Sequence, residues 1–178
     1  MIDPRSPETS GYHLFLEPEG QLRDILTQQI VHLAEQFHGP VFPPHVTLLG
    51  PIERVEAEVI QLAQALAAET HPFTLTLGDW GREPVFFRSL YARIEDSVPL
   101  QSCHDRAKEL FTRENEPFYA PHLSIFYGLP SDEERRALIQ EISYPRGVSF
   151  VADRIHIYKT EGRADAWKLI DTFNFAVS

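Results

Sequence analysis

With 178 residues, 43% hydrophobic and 24% charged, the chain is long enough to bury a sizeable core within one domain, and its composition is that of a folded soluble protein rather than a disordered one. Its net charge of −10 disfavours capture of a long polyanion by the molecule as a whole while leaving room for a local basic patch. One cysteine, Cys103, excludes an intramolecular disulfide and a cysteine-based zinc site, and neither a signal-peptide-like start nor a bilayer-length apolar run is visible, so a cytoplasmic setting with no membrane partner is expected.

In chain order, Tyr12 to Leu16 reads as a short strand ending before Pro18. Leu22, Ile25, Leu26, Ile30, Leu33 and Phe37 recur at helical steps, and Gly39-Pro40 stops that helix. Pro43-Pro44 forces an extended entry into a strand beginning at His45, which Gly50-Pro51 is expected to end. A second helix carries Val55, Val59, Leu62, Ala63 and Leu66 on one face, and Phe73 to Leu77 alternates as a strand. Gly78 to Pro84 reads as a turn-rich connection and Phe86 to Ile94 as a strand. A third helix with Leu100, Cys103, Ala107, Leu110 and Phe111 is broken at Pro117. A strand from His122 to Tyr127 follows, and Ser131 with Glu134 forms a capping box for a helix carrying Leu138, Ile139 and Ile142 inside, with Asp132 and its acidic neighbours as favourable charge. Val148 to Val151, Ile155 to Tyr158 and Trp167 to Phe175 complete the strands.

The order strand, helix, His-containing strand, helix, strand therefore occurs twice, over about 12–80 and about 85–158 of a single domain 1–178. Tyr12 precedes His45 by 33 residues and Tyr91 precedes His122 by 31, so both histidines fall at nearly the same point of each repeat. His45-Val46-Thr47 and His122-Leu123-Ser124 each follow a proline and open an apolar strand, whose alternation puts each histidine and its hydroxyl partner on one face. Alone, either triplet is too short to carry meaning, and the other six histidines show no such partner; together they predict one groove lined from both sides.

Two histidines and two hydroxyls suit phosphodiester hydrolysis. That reaction needs a base for the attacking water, an acid for the leaving oxygen and donors for the non-bridging oxygens. Histidine plays either proton role near neutral pH. A cyclic phosphate, with attack and departure on opposite sides of phosphorus, matches two opposed imidazoles.

Pro44-His45-Val46-Thr47 and Pro121-His122-Leu123-Ser124-Ile125-Phe126-Tyr127 resemble the paired signatures of the two-histidine (2H) phosphoesterase superfamily. The resemblance is nearest to its cyclic phosphodiesterase branch and covers nearly the whole chain, through Phe37-His38-Gly39-Pro40, Tyr119-Ala120-Pro121 and Tyr158-Lys159-Thr160 as well. It implies an α+β, bilobal, LigT-like fold with two pseudo-symmetric lobes, each an antiparallel sheet flanked by helices, and a metal-independent site in the groove between them, with no cofactor. It also implies hydrolysis of ADP-ribose 1″,2″-cyclic phosphate to the 1″-phosphate and of nucleoside 2′,3′-cyclic phosphates to 2′-phosphates. By position, His45 and His122 become the acid–base pair, with His45 as acid and His122 as base, though the pseudo-symmetry leaves the roles nearly interchangeable. Thr47 and Ser124 become phosphate ligands, and Tyr127, Phe15, Phe87, Arg88 and Tyr119 substrate-binding residues. Phe15 stands where the plant enzymes carry tryptophan, and Arg88 where they carry glutamine; the added arginine favours a substrate with a further phosphate.

The expected partner is a small cyclic phosphate bound by a monomer, with no stable long nucleic acid. Alternatives are an RNA-end-processing enzyme of the same superfamily (2′,5′ phosphodiesterase or ligase), for which Arg82, Arg88 and Arg93 could form a basic stripe, and a module that binds cyclic phosphates or RNA ends without turnover. A metal site is disfavoured, because neither triplet has helical zinc spacing. Trp80 and Trp167 read as core or lobe-interface residues, Cys103 as buried and inert, and Lys159 as solvated.

Overall fold

Strands of alternating character turn one sheet face to the core and free the other for polar groups. In the computed structural model, which describes residues 6–113, 115, 118–142 and 146–177, eight strands do this. They are β1 (Tyr12–Leu16), β2 (Val46–Ile52), β3 (Phe73–Gly81), β4 (Leu90–Ile94), β5 (His122–Phe126), β6 (Ser149–Ala152), β7 (Arg154–Lys159) and β8 (Lys168–Asn174). Four helices accompany them: α1 (Gly20–Phe37), α2 (Glu56–Glu69), α3 (Val98–Leu110) and α4 (Asp132–Gln140).

The strands form one antiparallel sheet in the order β6-β3-β4-β5-β2-β1-β7-β8. Its halves meet at the two histidine strands, β2 and β5, which pair through Val46 and Leu123. Each half borrows from the other end of the chain. β3, from the first pattern repeat, pairs with β4 and β6, whereas β7, from the second, pairs with β1 and β8.

Leu14, Leu16, Val46, Leu48, Leu123, Ile125, Ile155 and Ile157 line the apolar face and are fully buried. They share one core with Leu26, Ile30 and Leu33 of α1, Val59, Ala63 and Leu66 of α2, and Leu100, Cys103 and Ala107 of α3. Each of the Val, Leu and Ile side chains among them contributes roughly 1.5–3 kcal/mol on burial. α1 packs on β5 and α3 on β2, so each histidine strand is backed by the helix of the other repeat.

Local signals set the helix ends. Ser97 accepts the Leu100 N–H at 3.3 Å and Pro99 sits in the first turn of α3, while Ser131 and Glu134 cap α4 reciprocally. α1 stops at Phe37, with His38 left-handed at φ 58°. A Cβ on the next residue, Gly39, would lie 2.7 Å from the Tyr127 carbonyl oxygen, and this close approach is what requires glycine there.

Several boundaries differ from the sequence expectation. Gly50-Pro51, a cis peptide, does not end β2, which continues to Ile52. Pro51 falls where the register with β1 slips between Tyr12–Ile52 and Leu14–Leu49, so the ladder asks no N–H of it. Phe86 to Ile94 is not one strand: Phe86–Arg88 forms a 3-10 turn closed by Arg88 N–H to the Val85 carbonyl, and β4 starts at Leu90. β3 extends through the expected turn to Gly81. Val55 is the exposed cap of α2 rather than a core residue, Ile139 is exposed, and Ile142 lies beyond α4, which buries only Leu138. Pro117 lies outside the described residues. No helix among the described residues is long and apolar enough to cross a membrane.

Candidate active site

Sheet geometry brings the four motif side chains together. Val46 and Leu123 are cross-strand partners and both enter the core. Their chain neighbours His45, Thr47, His122 and Ser124 therefore all belong to the opposite, polar face. Cross-strand pairing adds Phe15 beside Thr47, Tyr91 beside Ser124, Arg93 beside His122 and His156 beside Phe15.

The two imidazoles are held in the same way. His45 Nδ1 lies 2.6 Å from the carbonyl oxygen of Pro43, and His122 Nδ1 lies 2.9 Å from that of Ala120, each two residues upstream. A carbonyl can only accept, so each Nδ1 carries the proton, and in the neutral ring Nε2 is left with a lone pair. Among the described residues neither Nε2 has a hydrogen-bond partner.

Their surroundings differ. His45 is sealed between Phe15, whose ring lies parallel at 3.6 Å, and the edges of Phe42 at 6.3 Å and Trp167 at 6.1 Å. Burial drives its pKa from 6.5 to about 3, against the opposing pull of the Pro43 carbonyl. His122 has Tyr91 edge-on at 5.1 Å. Burial also lowers its pKa; the Ala120 carbonyl and Glu83 oppose this, while Arg88 adds to it. Both rings are neutral at pH 7 in the free protein.

Ser124 is buried and its Oγ donates to the Phe87 carbonyl at 3.0 Å, which ties β5 to the turn that carries Arg88. Thr47 is half-buried, and its backbone carbonyl receives the Tyr119 hydroxyl at 2.9 Å. Phe42 stacks on Tyr127 at 3.7 Å, so the segment leading to His45 rests on the end of the His122 strand.

Of the substrate-binding residues expected from the sequence, Phe87 and Tyr127 meet at 5.1 Å, and each lies about 6 Å from Trp167. Burial raises the Tyr127 pKa, so its hydroxyl stays protonated. Arg88 ion-pairs with Glu83 at 2.8 Å and lies over the Tyr91 ring at 5.2 Å. Phe15 is almost wholly buried and serves as the floor under His45 rather than an open wall. Tyr119 is not brought to the polar face: it stacks on the buried His104 at 3.8 Å and braces β2.

Trp167 and His13 escaped the motif reading. Trp167 Nε1 donates to Thr9 Oγ1 at 2.9 Å, and its ring touches aromatic groups from both halves of the sheet. Expected in the core or at a lobe interface, Trp167 is only partly buried, packs against the core and stands beside His45. His13 has Thr160 Oγ1 at 2.7 Å from Nδ1, a partner 147 residues away that no local pattern shows. Cys103 is buried, as expected, and its thiol pKa is pushed up to about 11. Among the described residues no three His, Cys, Asp or Glu side chains converge as a metal-binding group.

Residues 22–164 match the sequence model of the 2′-5′ RNA ligase superfamily. A Bacillus cereus (strain B4264) protein whose name assigns it provisionally to the phosphoesterases is 29% identical over 145 residues, covering 76% of this chain and 81% of its own. Among solved structures, Escherichia coli LigT complexed with 3′-AMP aligns with a TM-score of 0.61 at 17% identity, covering 94% of this chain and 99% of its own. A crystal structure named only as a phosphoesterase aligns at 0.65 and 13% identity, covering 95% and 100%. The fold is LigT-like, and the chain belongs to the 2′-5′ RNA ligase superfamily, the 2H phosphoesterases.

Proposed function

We propose that this protein is a metal-independent cyclic phosphodiesterase, hydrolysing ADP-ribose 1″,2″-cyclic phosphate to the 1″-phosphate, nucleoside 2′,3′-cyclic phosphates to 2′-phosphates, or both. One observation carries the reading. Two imidazoles sit on one sheet face, each fixed by an Nδ1–H donated to the carbonyl two residues before it, with Nε2 unengaged. That is the arrangement needed for one ring to take a proton from water while the other gives one to the departing ribose oxygen. Water forms the new P–O bond, the ring P–O bond breaks, and the proton gained by the base balances the proton lost by the acid. Thr47 supplies a hydroxyl on the same face for a non-bridging oxygen, and Ser124, whose single proton goes to the Phe87 carbonyl in the free protein, does so only by turning its O–H away from that acceptor.

Because burial keeps both rings neutral, the acid gains its proton together with the substrate. A bound phosphate anion beside an imidazole favours the charged form and offsets desolvation. His45, pressed to about 3, depends on this more than His122 does.

The test is a turnover panel: ADP-ribose 1″,2″-cyclic phosphate, the four nucleoside 2′,3′-cyclic phosphates and a 2′,5′-linked oligonucleotide, with product positions determined. Hydrolysis of at least one cyclic phosphate is expected. No hydrolysis of any of them by folded protein removes the enzyme reading and leaves the binding module.

A second reading, RNA-end processing, draws support from Arg88 and Arg93, which approach the Tyr91 ring at 5.2 and 5.9 Å beside His122. A steep salt dependence of RNA binding would favour it, and a slope near zero the small substrate.

A further inference from the structure

Beyond the strand that carries Tyr91, the end of β3 and the start of α4 enclose a cavity of about 440 Å³ lined by Arg82, Glu83, Asp132, Arg135 and Arg136. In a chain of net charge −10, three arginines around one cavity stand out from the rest of the surface. Both of its carboxylates are already engaged: Glu83 with Arg88 at 2.8 Å and with the Tyr91 hydroxyl at 2.8 Å, and Asp132 with Arg135 at 2.7 Å. Arg82 and Arg136 have no ion-pair partner among the described residues. With Arg135 compensated by Asp132, Arg82 and Arg136 leave the cavity with uncompensated positive charge, and a phosphate with three acceptor oxygens neutralises it while accepting forked guanidinium N–H groups.

The cavity is joined to the catalytic face by direct contacts. Glu83 lines it, holds Arg88 and receives the Tyr91 hydroxyl, and the Tyr91 ring stands 5.1 Å from His122. Phe87, next to Arg88, receives the Ser124 hydroxyl.

We propose that Arg82, Arg135 and Arg136 form a second phosphate site, which binds a further phosphate of a substrate whose cyclic phosphate lies between the histidines. The proposal rests on the nucleoside 2′,3′-cyclic phosphate arm of the cyclic phosphodiesterase reading and narrows that substrate to molecules with a second phosphate. That group is either a terminal 5′-phosphate or the neighbouring diester of a short oligonucleotide.

The experiment compares adenosine 2′,3′-cyclic phosphate, its 5′-phosphorylated form and the dinucleotide ApA ending in a 2′,3′-cyclic phosphate, at low ionic strength, in the wild type and in an Arg82→Gln/Arg136→Gln variant. At least one of the two substrates with a second phosphate should show a KM about tenfold lower than the plain cyclic nucleotide. The variant should reduce that preference to within twofold while leaving kcat on the plain cyclic nucleotide unchanged. Which substrate gains identifies the source of the phosphate. Equal KM values for all three in the wild type, or a preference that survives the double substitution, would overturn the site. If none of the three is hydrolysed, binding of adenosine 2′,5′-bisphosphate against adenosine 2′-phosphate decides. A preference for the bisphosphate that the variant loses keeps the site while the nucleoside 2′,3′-cyclic phosphate hydrolase reading falls, and equal affinity removes the site as well.

Discussion

Phe15 lies flat beneath His45, with ring centroids 3.6 Å apart and 16° between their planes, and this apolar floor is part of the burial that chiefly holds the imidazole neutral, with His13, His122 and His156 adding to it. Phe15→Ala opens that floor to water. It should cost about 3–5 kcal/mol of stability and move the His45 pKa up toward its ordinary value. Phe15→Leu, which keeps the site apolar, should preserve most of the depression. An NMR titration of His45 in both variants checks this, and an unchanged titration in Phe15→Ala would assign the depression to other neighbours.

Burial of histidines makes stability depend on pH with a defined sign. His45 is lowered to about 3, His13 and His156 to about 4, and His122 is lowered as well, in each case chiefly through burial. Between these values and 6.5 the unfolded chain binds more protons than the folded one. Stability is therefore fully present above pH 6.5 and falls on acidification through that window. Each histidine contributes a slope of up to about 1.4 kcal/mol per pH unit. Glu17, whose carboxyl pKa burial raises, works in the opposite sense. Denaturant unfolding from pH 7.5 to 4.5 should show the loss, with a shallower slope in His156→Gln; a flat profile contradicts the account.

Tyr119 joins the approach to one histidine to the strand of the other. It stands three residues before His122 and donates to the carbonyl of Thr47, two residues after His45. β2 and β5 pair through one residue pair, so this bond does much to fix how the two triplets face each other. His104, under the Tyr119 ring, donates to the next carbonyl, that of Leu48, at 2.7 Å. Tyr119→Phe keeps the stack and loses the bond. We expect about 1 kcal/mol of lost stability and kcat lower by about tenfold with KM within twofold. Unchanged kcat would make Tyr119 a packing residue only.

Assignment of the two proton roles is open to a direct chemical test. With His45 as acid, as the family resemblance implies, His45→Ala should recover much of its single-turnover rate on a substrate with an activated leaving group, which needs no proton. His122→Ala should not. Rescue of His122→Ala instead would reverse the roles, as the deeper burial of His45 alone would suggest. In the wild type the alkaline limb of kcat should lie at higher pH than that of kcat/KM, because the bound phosphate stabilises the imidazolium.

The elements legible from the sequence were those with a local cause. The apolar run Tyr12–Leu16, the alternation of His122, Leu123 and Ser124, the steps of Leu26, Ile30 and Leu33, and the Ser131–Glu134 box each state their structure within a few residues. The triplets declared a shared face for the same reason. What could not be read locally was set by partners far along the chain. β2 passes through Gly50-Pro51 because β1 lies beside it, and Phe86 to Arg88 turns because Glu83 and Gly128 claim the Arg88 and Phe86 carbonyls. The position of Trp167 beside His45, and the turning of Tyr119 onto His104, follow from the borrowing of strands between halves, which no spacing along the chain reveals.

The central claim is that His45 and His122 act as one pair on one phosphorus. Its most direct test measures kcat/KM on whichever cyclic phosphate is turned over, under exhaustive chelation, for the wild type, His45→Ala, His122→Ala and the double variant, all with unfolding curves that show native structure. Each single substitution should lose roughly 100- to 10,000-fold. The double variant should fall no more than about tenfold below the worse single one, because groups that act as a unit are not additive. A single variant within threefold of the wild type, or wild-type activity abolished by chelation, would contradict the account.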